Sequence, residues 1–174
     1  MTDIFWIATW IIFFVYPLPA NLVLSDAGTL GPLGFLSLPF AHGDLMHILF
    51  NFLIGFPMMK TTEKYVSKGT WLTLWLLTAF VTNYLKLYYV GLWPPAIGAS
   101  GVLGAYAFPA LYYAARYERA RLFEASFGLI WCGTVVLANY LNEDSVIFAH
   151  GGGYVIGALY VLWDVARRLV QRFG

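Results

Sequence analysis

Apolar positions gather into six long stretches, at about Ile4 to Leu24, Asp44 to Met59, Thr70 to Gly91, Ser100 to Tyr117, Leu122 to Leu141 and Ser145 to Leu169. Short polar or Gly/Pro-rich runs separate them. Most stretches approach the roughly 20 residues that an α-helix needs to cross a hydrocarbon core, so the pattern predicts six transmembrane helices. Pro17 and Pro19 should end or kink the first helix, and Pro109 should kink the fourth, because proline removes a backbone donor and clashes with the preceding turn. Ser25 to Ala41 is too apolar for a solvated loop. It is also too broken, by Gly28, Gly31, Pro32, Gly34 and Pro39, for a regular span, and is expected to lie partly embedded at the interface. No internal repeat is visible.

Composition fixes the medium. Apolar residues make up 60% of the chain and charged residues 11%, with a mean hydropathy of +0.70, which excludes an ordinary soluble domain. Six spans leave room only for connections, so residues 1–174 are expected to form a single transmembrane domain. The start, Met1-Thr2-Asp3, lacks the basic stretch of a secretory signal, and the first apolar run reads as a retained helix. The lone Cys132 excludes an internal disulfide and reads as an inert buried thiol.

Charge adds orientation. Lys60, Lys64 and Lys68 follow the second helix, Arg116, Arg119 and Arg121 the fourth, and Arg167, Arg168 and Arg172 end the sixth, whereas Lys86 stands alone on the other side. Basic residues in short loops favour the cytoplasmic face, which predicts both termini cytoplasmic. A net charge of +1 without a basic patch argues against a nucleic-acid partner. Trp6, Trp71, Trp93 and Trp163 fall near predicted helix ends, where aromatic belts sit.

In this orientation the second, fourth and sixth helices all enter from the outer face. His42, His47, Asn51, Ser100 and His150 then share one depth and could line a cavity open outward. Polar groups at membrane depth are expensive and point to function. Taken singly, each has a blander reading: Asn and His as interhelical hydrogen bonds, Ser as a helix contact or N-cap. His47 and Asn51 are four apart, on one face. His42 lies ahead of the first turn or points elsewhere. His150, Gly153 and Gly157 form a stripe at i, i+3 and i+7, and Ser100 and Gly104 form a small pair on the fourth helix. Such surfaces let two helices approach closely enough for a Ser-His hydrogen bond of roughly 2.6 to 3.2 Å.

Three motifs, His42-x4-His47-x3-Asn51, Gly98-x-Ser100-Gly101 and His150-x2-Gly153-x3-Gly157, each open their helix in a six-helix frame. Together they resemble the rhomboid intramembrane serine proteases over nearly the whole chain. The resemblance implies that Ser100 is the nucleophile and His150 its general base. Asn51, His47 and the backbone N–H of Ser100 would form the oxyanion hole, with His42, Gly98, Gly101, Gly153 and Gly157 in support. It also implies transmembrane protein substrates cut near the outer face of a cell membrane, access beside the fifth helix, and no cofactor or metal. Two positions depart from the family pattern. Leu33-Gly34-Phe35 stands where many members carry a Trp-Arg pair, and Gly104, four after the serine, stands where an aromatic residue often packs on the histidine.

The residues agree on a dyad independently. A neutral imidazole can take a serine proton, and no acidic residue of the sixth helix is near His150: Asp144 precedes it by six and Asp164 is at the far end. Two other classes stay open, a proteolytically inactive rhomboid-like protein that binds membrane clients, and a transporter or proton channel. The second would call for intramembrane carboxylates, yet only Asp44 is near the cluster, and His42-x4-His47 is a poor zinc spacing. On the fifth helix, Phe127, Trp131, Val135 and Ala138 form a stripe expected to face the second helix or lipid.

Overall fold

The structure, a computed structural model, describes residues 1–15, 36–90, 98–141 and 147–173. Among these residues it is all-helical, with α1 (Thr2–Val15), α2 (Leu45–Tyr65), α3 (Lys68–Val90), α4 (Ser100–Tyr117), α5 (Leu122–Leu141) and α6 (Ile147–Phe173). The expectations for Pro17, Pro19, Trp93, Asp144 and most of Ser25 to Ala41 lie outside the described residues.

The expected bounds of α4 and α5 coincide with the observed ones. α2 runs six residues further than its apolar run. Its last turns are polar, and partners at the start of α1 satisfy them: Lys60 pairs with Asp3 at 2.6 Å, and Glu63 meets the amino group of Met1. Pro57 lies within α2 and Pro109 within α4, and neither ends its helix. Asp44 caps α2, its side chain accepting the backbone N–H of His47 at 2.8 Å.

α4 is the central helix, touching α2, α3, α5 and α6. Its inward positions are mostly small, with Gly101, Gly104, Ala105, Ala107, Ala110 and Ala114 buried. Opposite them, a Cβ added at Gly153 would collide with the Gly101 carbonyl, and one at Gly157 would stand 2.7 Å from the Ala105 carbonyl oxygen. The two backbones are in contact, as small residues permit. At the other end of this pair, the buried Asp164 takes Arg167 at 2.9 Å and Arg168 at 2.6 Å. Tyr113 of α4 donates to it at 3.3 Å.

The surface is inverted relative to a soluble protein. Ile4, Ile7, Leu53, Phe123, Ile130, Leu162 and Val170 are exposed, while Thr61, Thr62, Thr78, Thr82 and Asn83 are buried. By length and apolarity alone, one stretch among the described residues suffices to cross a membrane, Arg119–Leu141. The other long helices fall short because they carry their Thr, Asn, His and Gly toward one another. Two belt assignments need correcting: Trp6 and Trp71 are core residues, 2% and 3% exposed, while Trp163 is exposed.

Before α2, a 3₁₀ turn (Leu38–Phe40) wedges Phe40 between Phe5 and Trp75, with ring centroids 5.2 and 5.5 Å away. The Leu38 carbonyl accepts the N–H of Gly98 at 3.1 Å. This turn therefore ties the approach to α2 to the approach to α4.

Candidate active site

Ser100 is the first residue of α4, and His150 lies in the first turn of α6. Fifty positions apart in the chain, they meet with Ser100 Oγ 2.7 Å from His150 Nε2. The α4–α6 backbone contact at Gly101 and Gly153, one residue past Ser100 and three past His150, brings them together. The other ring nitrogen, Nδ1, is 2.6 Å from the Oδ1 of Asn139, near the end of α5. An amide oxygen only accepts, so this pairing suits the tautomer with the hydrogen on Nδ1 and Nε2 left to accept from the serine hydroxyl.

On the other side of Ser100, Gly98 has φ 101°, the left-handed region that favours glycine. A Cβ there would stand 2.6 Å from His47 Nε2 and 3.2 Å from Asn51 Nδ2. Both side chains thus crowd the backbone just ahead of the serine, and Gly98 is required by conformation and by space. His42 sits ahead of α2 and holds this side together. Its Nδ1 donates to the Phe40 carbonyl at 3.3 Å, and its Nε2 accepts from Asn51 Nδ2 at 3.1 Å and from the Ala99 N–H at 3.4 Å. Burial, reinforced by nearby His47, pushes the His42 imidazole down to about 4. The ring edges of His42 and His47 meet at 4.9 Å between centroids.

Asn51, Ser100 and His150 line one cavity of about 20 Å³, closed by Leu103, Gly104, Trp131, Cys132 and Val135. That is room for a single water. His47 is not in its wall and lies on the Gly98 side. Cys132, read as an inert buried thiol, lines this cavity together with His150; Asn139, not among the expected site residues, is outside its wall and meets His150 from α5. Asn139 stands eleven residues before His150 in the chain, near the end of α5, and the two side chains meet. Tyr106, two beyond Gly104, turns away, its hydroxyl donating to the Trp71 carbonyl at 2.8 Å. α5 closes on α2 through Trp131 stacked on Phe50, 5.8 Å between centroids and 13° between planes. It closes on α6 through Tyr154, whose hydroxyl donates to the Leu129 carbonyl at 2.8 Å.

A family model for the Rhomboid domain matches residues 31–167. The chain belongs to the rhomboid family. No curated protein matches it. Family membership makes this rhomboid an integral membrane protein. The family is one of intramembrane proteases, usually serine proteases acting on transmembrane substrates in the bilayer, and it also includes inactive members. The matched region begins beyond α1 and takes in α2 to α5 and most of α6.

Proposed function

We propose that this rhomboid is an active intramembrane serine endopeptidase. The observation that carries the reading is the 2.7 Å contact between Ser100 Oγ and Nε2 of His150, on a cavity that Asn51 also lines. Ser100 Oγ attacks the scissile carbonyl carbon as its proton passes to Nε2. The oxyanion that forms is stabilised by the N–H groups of Asn51, His47 and the Ser100 backbone. The imidazolium then returns its proton to the departing amine as the C–N bond breaks, leaving an acyl-serine ester. A water, deprotonated by Nε2, attacks that ester and releases the acid and free serine. Donors fixed before the reaction stabilise developing charge without reorganising, which is why the buried Asn51–His42 bond matters.

The same reading includes one domain over residues 1–174 with six spans, both termini cytoplasmic and the cavity near the outer face of the cell membrane. Substrates are transmembrane proteins with a helix-destabilising segment at that depth and small residues at the cleaved bond. They reach the serine beside α5, past the Phe50–Trp131 pair. A fluorophosphonate probe applied to the detergent-purified protein should label Ser100 and leave Ser100→Ala unlabelled. A folded protein that the probe does not label would favour an inactive, client-binding member.

A further inference from the structure

We propose that Asn139 is a positioning residue for His150: its amide oxygen holds the Nδ1–H and so selects the tautomer whose Nε2 can accept the Ser100 proton. The proposal rests on the protease reading above and adds a member to its site. Three observations carry it. Asn139 Oδ1 lies 2.6 Å from His150 Nδ1 while Ser100 Oγ lies 2.7 Å from Nε2, so the ring is held at both nitrogens. α4 cannot supply the hold, because a Cβ at Gly104 would stand 2.9 Å from the Tyr154 backbone nitrogen, and no side chain fits between the helices there. Among the described residues, two carboxylates are engaged elsewhere: Asp44 caps α2, and Asp164 is bound to Arg167 and Arg168 at the far end of α6.

The alternative tautomer shows what is at stake. With the amide reversed, its NH₂ would donate to Nδ1, and Nε2 would then carry a hydrogen aimed at Ser100 Oγ. That ring could not act as a base. The hold comes from α5, the helix that walls the cavity through Trp131, Cys132 and Val135. The wall that admits substrate would thus also carry the group that readies the base.

The chain has three histidines, which makes the tautomer directly readable. Protein with ¹⁵N-labelled histidine, in detergent at mildly alkaline pH, should show His150 hydrogenated at Nδ1 and bare at Nε2, with its signals assigned by their loss in His150→Ala. In Asn139→Leu, similar in volume but without an acceptor, the Nδ1–H form should lose its dominance. Labelling of Ser100 by the fluorophosphonate should slow about 10- to 100-fold, and kcat for a transmembrane substrate should fall with KM unchanged. Asn139→Asp, which keeps an accepting oxygen, should restore the Nδ1–H form and most of the labelling. Wild-type protein carrying the hydrogen on Nε2 would overturn the proposal, even if Asn139→Leu failed to fold. So would wild-type tautomer and labelling in a folded Asn139→Leu, or an Asp variant that restores neither. Absence of labelling in the wild type would instead count against the protease reading, and the tautomer measurement would still decide the Asn139–His150 bond.

Discussion

Two residues around Ser100 turn hydrogen-bond geometry into measurable consequences. Asn51 is buried, and its amide is fixed by His42, so it is a donor already aimed when charge develops. Asn51→Ala should lower turnover on the order of 10²-fold, with probe labelling reduced less, because a donor is lost and the nucleophile stays. Unchanged turnover would remove Asn51 from the oxyanion hole. His42 makes a pH prediction. In the fold it titrates at about 4, against an ordinary 6.5, because burial disfavours its charged form. Between these values the unfolded chain binds the proton and the folded chain does not, so stability rises with pH across that window. The contribution of His42 is full above about 6.5 and is lost as pH falls toward 4. Melting temperature in detergent should decline through this range, and the decline should be shallower in His42→Gln. Equal slopes would mean that another group governs acid stability. His42, His47, Asn51, Ser100 and His150 were legible because each is a polar group beside or within an otherwise apolar run. Asn139 was not legible, because it lies on α5 while His150 lies on α6. No spacing within one helix reveals it.

At the scale of helices, the α4–α6 contact is the part of the fold most directly encoded. Gly153 and Gly157 were readable as a small-residue stripe; Gly104 of the expected pair packs on the Gly153 backbone, and Gly101 and Ala105 make further close contacts with Gly153 and Gly157. Leu at position 157 would push its side chain into the Ala105 backbone, which an added Cβ already approaches to 2.7 Å. Such overpacking typically costs about 1 to 3 kcal/mol. Gly157→Leu should therefore lower the melting temperature, and activity should fall further than stability, since a displacement of about 1 Å between nucleophile and base can cost on the order of 10²-fold. A variant with wild-type melting and turnover would contradict the close contact. The α2–α5 seam is lighter, resting on the Phe50–Trp131 stack and on Met58 against Gly128. Trp131→Ala should loosen it and raise cleavage of a transmembrane substrate while leaving small-probe labelling nearly unchanged. Asn139 is eight residues further along α5, roughly 12 Å at the usual rise, and so stays at its station. Equal effects on both readouts would make α5 a fixed wall. The extra turns of α2 were hidden from hydropathy because ion pairs with the start of α1 and with Glu118, and the stacking of Tyr65 on Tyr113 and Tyr117, hold them.

Across the whole molecule, apolar residues face outward and threonine, asparagine and the paired Asp164 face inward, while α4 sits at the centre with its serine at one end. This inversion also explains why composition announces a membrane protein more clearly than any single helix does. Helices that hide polar groups against one another lose hydropathy without losing their lipid-facing surface. The arrangement concentrates His42, Asn51, Ser100, Asn139 and His150 at one end of the bundle and the Asp164 cluster at the other. In the proposed function Ser100 is a nucleophile activated by His150 for cutting membrane-embedded chains. The most direct measurement reconstitutes the purified protein with a model transmembrane substrate and compares wild type, Ser100→Ala and His150→Ala, each verified as folded by its melting transition. Cleavage near the outer face by the wild type, abolished in both variants, is the expected result. Cleavage that persists in Ser100→Ala would contradict it.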